Sequence, residues 1–406
     1  MSAASTLTRP SAAPASSPSP APPLAALVVP CIVVFLGYLT VGMPLPVIPP
    51  HIHDALGFNA VVVGSVIGLQ SFVTLVTRPF SGRIVDERGP KTALLAGGVL
   101  ASLSGLTYLA SLALHDRGAS LAVLFAGRAI LGVAEGLIVT GGLAYGIATL
   151  GAPRSGAVMV WIGIAMYSAM GGGAPLGAAL GDARGFGAVA LTVTLIPLLG
   201  IALAATLRPV RRAQGAPMPI GAVLRTVSPA GAGLALCSIG FGAITTFVVL
   251  AFNARHWGGA SFAFTTFGIA FVLARLLFGH LPDKLGGAPV AIGALAVQIA
   301  GQLLLWLGAG PAYGLAGAAL TGFGYSLAFP AFGVEAVKRI APTSRGAALG
   351  IYVAFFDLGM GVTGPLSGMV ASAFGYPAIY AFGALAALLS LAIACALRVT
   401  ARRATT

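Results

Sequence analysis

The stretch GRIVDERGPK, residues 82–91, has five charged side chains in ten positions, in a chain of 406 residues of which only 8% are charged. Asp86 lies between Gly82 and Gly89, and long apolar runs flank the stretch on both sides. A compact cluster of charge between apolar runs is typical of a short loop that joins two membrane helices. The stretch therefore indicates where two membrane-spanning segments meet.

The composition of the whole chain supports this interpretation. Hydrophobic residues make up 58% of the sequence and the mean hydropathy is +0.98, far above the range of soluble domains. Apolar runs of about 18 residues or more, enough to cross a bilayer as a helix, recur along the whole length. We therefore predict an all-α membrane protein that crosses the bilayer many times.

Twelve transmembrane helices are predicted, in two halves of six. A tail rich in Pro, Ala and Ser, 1–23, is expected to be disordered. The N-terminal half is 24–207, a cytoplasmic linker is 208–229, the C-terminal half is 230–397, and a cytoplasmic tail is 398–406. The predicted helices are 24–49, 58–80, 92–114, 119–149, 157–180, 186–207, 230–251, 260–280, 288–308, 311–337, 345–373 and 376–397.

The basic residues orient these helices. Of the 22 Lys and Arg residues, 18 fall on one side of the predicted membrane, Arg117, Arg184 and Arg255 fall on the other, and Arg128 lies inside predicted helix 4. Basic residues are concentrated on the cytoplasmic side of membrane proteins. We therefore place both termini in the cytoplasm, and we assign the net charge of +13 to topology and not to nucleic-acid binding.

The two halves resemble each other in sequence. RPFSGRIVD, 78–86, matches RLLFGHLPD, 275–283, at an offset of 197 residues. GGGAPLG, 171–177, matches GVTGPLS, 361–367, at an offset of 190 residues. Parallel repeats of six helices are typical of a carrier whose halves rock about a binding site at their interface.

The opening stretch resembles the loop between helices 2 and 3 in the major facilitator superfamily of transporters. A second stretch, GHLPDKLGG (279–287), resembles the same loop in the second half. RAILGVAEG (128–136) resembles the family's helix-4 motif, and GGGAPLGAALG (171–181) resembles its helix-5 Gly-Pro motif. The likeness extends over 24–397. It implies a monomeric secondary transporter that moves a small-molecule substrate and protons across the lipid bilayer of a bacterial inner membrane, without a cofactor.

The helix-5 Gly-Pro motif implies export. In the family the helix-5 motif is associated with proton-driven exporters, although this chain has Ala174 where a Gly is expected. The stretch 329–361 resembles a bacterial subgroup of these carriers, the YhhS/YfcJ type. The residues of the helix-5 and helix-11 motifs are Gly173, Pro175, Gly177, Gly364 and Pro365.

The charged loop is predicted to be a cytoplasmic gate. Gly82 and Gly89 would allow a tight turn and a close approach of helices. Asp86, in a motif completed by Arg88, would face the N-terminus of helix 11, where the helix dipole favours an anion. Arg345 at that end would supply a counter-charge. The alternative is a solvated loop whose charges serve topology alone.

A second, weaker gate is predicted at the equivalent place in the other half. There Asp283 would face the start of helix 5, near Arg154. Leu285 stands where the first copy has Arg88, and this departure weakens the expected pairing.

Three of the nine acidic residues lie inside predicted helices. An ionisable side chain at the bilayer centre costs about 2.5–3.5 kcal/mol on insertion scales and usually marks a pathway. Asp357 lies roughly 18 Å along helix 11 from Arg345, with no basic residue within a turn on its own helix. We predict that it handles protons or substrate. The alternative is a neutral Asp that hydrogen-bonds to Gln70 or Thr74 of helix 2.

The other two acids lie on helices 4 and 10. Glu135 and Arg128 are seven residues apart and share a face of helix 4, so they are predicted to line a polar cavity and to take part in proton coupling. The alternative is a structural ion pair. Glu335 is predicted to pair with Lys338 or Arg339 at the cytoplasmic end of helix 10.

Four further side chains are candidates for the cavity: Tyr38, Gln70, Tyr145 and Tyr325. Packing or interface anchoring is the alternative for the tyrosines. His51 and His53 are interpreted as surface histidines, since no third metal ligand accompanies them.

These observations favour a proton-coupled exporter of small organic molecules. Two alternatives stay open: a proton-coupled importer of a sugar or organic acid, and a polytopic membrane enzyme or lipid-handling protein. The zinc-protease, phosphate-loop and nucleophile-elbow motifs are absent from the sequence, and we therefore predict that the protein is not an enzyme.

Overall fold

The computed structural model describes residues 24–151, 154–210, 220–338, 340 and 345–403. The predicted N-terminal tail, 1–23, and part of the predicted linker, 211–219, lie outside the described residues, as does the side chain of Arg345.

The described chain forms twelve long helices, as predicted. Ten helical stretches are long and apolar enough to cross a membrane. One of them, Ser155–Thr206, contains two helices that meet at Gly185, where a φ of 77° breaks the helix. A shorter apolar helix, Phe262–Phe278, completes the twelve.

The helices are numbered here in chain order. We call the end of the bundle where α1 begins and α12 ends the near end, and the opposite end the far end. The bounds are α1 Val28–Gly42, α2 Ala60–Arg88, α3 Pro90–Leu112, α4 Arg117–Leu150, α5 155–184, α6 186–206, α7 Ile220–Ala254, α8 Phe262–Phe278, α9 Gly287–Leu307, α10 Pro311–Val337, α11 Arg345–Phe374 and α12 Ala378–Arg403.

The opening stretch is mostly helix and not loop, which corrects the prediction. α2 continues to Arg88, and the turn is made by Gly89 alone, whose φ of 87° is unfavourable for other residues. Pro90 then starts α3 at the first helical position, where its missing N–H is not needed. Gly82 lies inside α2, and a methyl group there would meet no atom of the described residues within 4 Å.

The two halves contact each other mainly through α2 with α11 and α5 with α8. Toward the far end, α2 and α11 pack backbone against backbone, since a methyl group at Gly64 would overlap the carbonyl oxygen of Gly364. In the second contact, a methyl group at Gly171 of α5 would lie only 3.1 Å from the Cα of Gly268 in α8. Small residues allow membrane helices this close approach. The structure is therefore closed at its far end.

The predicted Gly-Pro motifs lie in these helix contacts. Gly173 and Gly177 of α5 pack against the end of α1, where a side chain at Gly177 would overlap the backbone of Met43. Gly364 and Pro365 of α11 pack against α2. Both motifs therefore serve close helix packing in this conformation.

Glu335 does not form the predicted pair with Lys338. Its carboxylate instead accepts a hydrogen bond from the backbone N–H of Ala288 at 3.1 Å, in the first turn of α9. The N-terminus of a helix carries free N–H groups and partial positive charge, so it provides a favourable partner for the Glu335 carboxylate. The other predicted partner, Arg339, lies outside the described residues.

Candidate functional site

A small cavity lies between the two halves. Its free volume is ≈ 50 Å³, room for about three water molecules. A site for an organic molecule is usually several hundred Å³, so a substrate of that size requires the halves to separate. The polar residues of the lining are Tyr38, Gln70, Ser71, Arg128, Glu135, Tyr167, Thr245 and Thr246, and the apolar ones include Met166, Met170, Phe241, Phe356 and Met360.

Glu135 is held by two hydrogen bonds from neighbouring helices. The Tyr38 hydroxyl of α1 donates to Oε1 at 2.8 Å, and the Gln70 amide of α2 donates to Oε2 at 2.6 Å. Three residues that were predicted separately therefore form one network. Both carboxylate oxygens are satisfied without a salt bridge.

Arg128 lines the same cavity but lacks such partners. Its side chain is only 2% exposed, and Nε and Nη1 have no hydrogen-bond partner among the described residues. Within the described residues, no ion pair joins Arg128 to Glu135. Both residues line the cavity, and their part in proton coupling stays a prediction.

Asp357 has a basic partner, which the sequence interpretation missed. Nε of Arg78 in α2 donates to Oδ2 of Asp357 at 2.6 Å, and Nη2 contacts the same oxygen. The side chains are 16% and 2% exposed, respectively. The predicted contact of Asp357 with α2 is present, but its partner is Arg78 and not Gln70 or Thr74.

Arg78 was counted among the basic residues of the cytoplasmic side because several other charges follow it closely. The structure shows that its long side chain extends into the bundle, where it meets a residue 279 positions away in sequence. The internal repeat carried a signal of this role, since the Arg is matched in the second half by Arg275.

Among the described residues, Arg275 lacks an acidic partner of the kind that Arg78 has. At an offset of 190 residues, the counterpart of Asp357 is Tyr167. The Arg275 guanidinium lies 5.2 Å from the ring centre of Phe271, and Phe271 stacks on Tyr167 at 3.8 Å between ring centres. Nε of Arg275 has no hydrogen-bond partner among the described residues. The two repeated arginines therefore have different surroundings. Arg78 forms an ion pair where α2 contacts α11, and Arg275 of α8 lies among aromatic rings near α5.

The two remaining tyrosine candidates lie outside the cavity lining. Tyr325 is buried next to Tyr167, with 3.4 Å between the hydroxyl oxygens, and stacks on Phe241. Tyr145 does not approach the cavity, which corrects the prediction. It packs in a separate apolar cluster with Val33 and Leu94, because its face of α4 points away from the interface between the halves.

The predicted gate residues lie at the near end of the bundle. Asp86 and Asp283 are exposed at the near end, while the predicted partner of Asp86, the Arg345 side chain, lies outside the described residues. Arg154 stands immediately before α5, as predicted.

The histidines after α1 lie at the far end. His53 bonds to the neighbouring Asp54 at 2.7 Å, and its ring lies 6.2 Å from that of Tyr376 in the other half. Burial lowers the pKa of His51. Within the described residues, no group of three or more His, Cys, Asp or Glu side chains is placed to hold a metal ion.

The chain is similar to transporter sequences over nearly its whole length. A family model described as "Major Facilitator Superfamily" matches residues 31–222 and 230–406. An uncharacterized MFS-type transporter of Burkholderia mallei is 45% identical over 360 residues, which is 88% of each chain. Another, from Pseudomonas aeruginosa, is 45% identical over 370 residues, covering 91% of this chain and 92% of the relative.

Solved transporter structures share the fold. The human organic anion transporter MFSD10 superposes with a TM-score of 0.70 at 17% identity, over 92% of this chain and 100% of the other. A point mutant of the nucleoside transporter NupG gives a TM-score of 0.71 at 14% identity, over 92% of this chain and 99% of the other. At these identities the likeness concerns the fold and not the substrate.

Proposed function

The chain belongs to the major facilitator superfamily, and we propose that it is a proton-coupled transporter that exports small organic molecules by alternating access. The observation that carries this proposal is the buried pair of Arg78 and Asp357, which joins the two halves across their interface. Buried charges inside a membrane are costly and usually mark a pathway or a switch. The protein is a membrane transporter and not an enzyme.

In this proposal the pair links a proton to the arrangement of the halves. When Asp357 is ionised, Arg78 holds α2 against α11 and stabilises the conformation that is closed at the far end. A proton on Asp357 removes this attraction, and the halves then separate more easily there. A group that differs in protonation between two conformations shifts the equilibrium between them, as any ligand does.

The substrate binds, on this proposal, in the cavity beside the pair. Phe356 and Met360, which line the cavity, flank Asp357 on the same helix. Glu135, with Tyr38 and Gln70, forms the polar side of the site and is the second candidate for proton coupling. Movement of the halves would enlarge the cavity and open it alternately to either side.

At the near end we propose that Asp86 latches the halves when the far end is open. The exposed residues Asp86 and Arg88 lie at the end of α2, and the N-terminus of α11 favours a negative charge. Asp283 and Arg154 would form a weaker latch on the other side. Substitution of Asp86, described in the Discussion, tests this part.

We further propose that the protein works as a monomer in a bacterial inner membrane, with both termini in the cytoplasm, like the YhhS/YfcJ-type carriers that it resembles. A single cysteine introduced at Arg208 or Arg398 should react with an impermeant maleimide only after permeabilisation of the cell. A cysteine introduced at Arg184 or Arg255 should react in intact cells. Labelling of position 208 from outside would reverse the orientation.

The proposed function is tested with purified protein in liposomes and a panel of cationic, neutral and anionic fluorescent dyes. When a pH gradient is imposed, we expect at least one dye to be concentrated on the acidic side, in exchange for protons, and an uncoupler to abolish the accumulation. Accumulation on the side toward which protons flow would indicate an importer instead. If every transported dye reached equal concentrations on both sides despite the pH gradient, proton coupling would be contradicted.

A further inference from the structure

We propose that the central cavity takes an organic anion and that Arg128 receives its anionic group. The inference deepens the proposed function, because it rests on this cavity being the substrate site. It is independent of the direction of transport and of which residue carries the proton.

The hydrogen bonds of the cavity identify which charge is available to a ligand. Both oxygens of Glu135 already accept hydrogen bonds, from Tyr38 and Gln70. Arg128 is 2% exposed, and its Nε and Nη1 donors have no partner among the described residues. A buried donor without an acceptor is unfavourable, and more so on a charged group. An incoming anion would satisfy the arginine, whereas a cation would have to compete for a carboxylate that is already occupied.

The net charge of the region around the cavity also favours an anion. Arg128 lines the cavity, Arg78 is paired with Asp357, and Arg275 lies behind the ring of Phe271. The charged residues of the cavity lining, Arg128 and Glu135, balance each other, and Arg275, behind Phe271, gives the surrounding region an excess of one positive charge. In a region of low dielectric this excess attracts an anion and disfavours a cation.

A second unpaired atom indicates what lies next to the anionic group. Oε1 of Gln70 is buried without a hydrogen-bond donor among the described residues. The backbone of Gln70 packs against Gly132, one turn along α4 from Arg128. A ligand that carries an N–H or O–H close to its carboxylate would satisfy both residues.

The rest of the cavity lining is apolar and suits the apolar part of a ligand. Met166 and Met170 of α5, Phe241 of α7 and Phe356 of α11 face the cavity. Methionine side chains adapt to ligands of different shape, and aromatic rings provide flat apolar surface. The ligand class is therefore a small apolar or aromatic carboxylate, with a hydroxyl or amine near the acid group.

The test uses the full-length protein in detergent and measures the thermal stabilisation that added probes produce. The probes are benzoate, salicylate and benzamide. Benzamide has the shape of benzoate without its charge, and salicylate adds a hydroxyl next to the carboxylate. We expect benzoate and salicylate to stabilise the parent protein, with salicylate the tighter, and benzamide to have no effect at the same concentration.

Substitutions then assign the effect to Arg128. Arg128→Gln should weaken benzoate binding about tenfold or more, which corresponds to ~1.4 kcal/mol, while Arg128→Lys should retain part of it. Arg255→Gln is the matched control and should bind like the parent. Arg255 is also an arginine, but it lies at the far end and donates to the backbone oxygens of Leu305 and Trp306.

The proposal is wrong if millimolar benzoate and salicylate stabilise the parent no more than benzamide, or if Arg128→Gln binds them as the parent does. Stabilisation by benzylamine in place of benzoate would also overturn it, since the site would then prefer a cation. Because binding is measured without a gradient, a failure of proton coupling in liposomes would contradict the proposed function and leave this result unchanged.

Discussion

The Asp357→Asn variant is expected to lose all accumulation of a transported dye against its gradient, while downhill movement continues. Asn retains the size and most of the hydrogen-bonding capacity of Asp, but it cannot gain or lose a proton. The pair with Arg78 would then be unable to switch between an attractive and a neutral state. Accumulation in liposomes under an imposed pH gradient, compared with downhill efflux from the same liposomes, measures the two activities separately.

Loss of stability must be distinguished from loss of coupling in this experiment. Removing one member of a buried ion pair costs about 3–5 kcal/mol, because the partner charge is left without compensation. Asp357→Asn should therefore melt at a lower temperature than the parent. The double variant Arg78→Gln/Asp357→Asn removes both charges and should recover most of that stability. It should nevertheless remain uncoupled.

Glu135→Gln is the comparison that assigns the proton. Glu135 is the other carboxyl next to the cavity, and Gln can still accept from Tyr38. Loss of accumulation in Asp357→Asn alone assigns coupling to α11, and loss in Glu135→Gln alone moves it to α4. If both variants concentrate the dye like the parent, neither carboxyl is required for coupling, and another group carries the proton.

Gly64→Ala is expected to open the far end. The added methyl group would overlap the carbonyl oxygen of Gly364, so α2 and α11 can keep their contact only if one of them moves. Overpacking of this kind typically costs about 1–3 kcal/mol, which would favour the far-open conformation by roughly 5- to 150-fold. A cysteine at Thr246, in the cavity lining, should then react faster with an impermeant maleimide added outside cells.

The labelling experiment is made in a background without the native Cys31, Cys237 and Cys395. Gly172→Ala is the matched control, because a methyl group at Gly172 meets nothing within 4 Å among the described residues. Asp86→Asn should act in the opposite direction, since loss of the proposed latch disfavours the far-open conformation. Equal labelling of Gly64→Ala, Gly172→Ala and the parent would show that the glycine contact does not control access.

The fold follows from the sequence because the bilayer restricts it so strongly. A spanning helix requires about 20 apolar residues and satisfies its own backbone hydrogen bonds, so the apolar runs predict the helices directly. The ends are less well determined. α7 begins at Ile220 and α12 continues to Arg403, beyond the predicted limits, because charged residues can extend a helix once it leaves the bilayer.

The candidate site was partly predictable for a related reason. Tyr38, Gln70 and Glu135 stood out as polar residues within apolar helices, and they meet in the structure. Their partnership could not be predicted, since it depends on how α1, α2 and α4 pack. Tyr145 satisfies the same criterion and packs elsewhere, because the sequence of a helix with few polar residues does not specify which of its faces is turned inward.

The most consequential omission was Arg78. It lies within the predicted helix 58–80, but the cluster of charge that follows it made topology a sufficient explanation. The length of the arginine side chain allows it to reach Asp357 from a position nearer the end of the helix. The repeated arginine at position 275 was the one sequence feature that separated it from ordinary loop charges.

Proton movement during transport tests the central claim most directly. Liposomes that contain the purified protein are loaded with a transported dye and with a pH-sensitive dye, and are then diluted into dye-free buffer without a pH gradient. If the protein exchanges protons for its substrate through Asp357, the lumen should acidify as the transported dye leaves, and Asp357→Asn should release the dye without acidification. Release of dye from the parent protein with no change in luminal pH would contradict the claim.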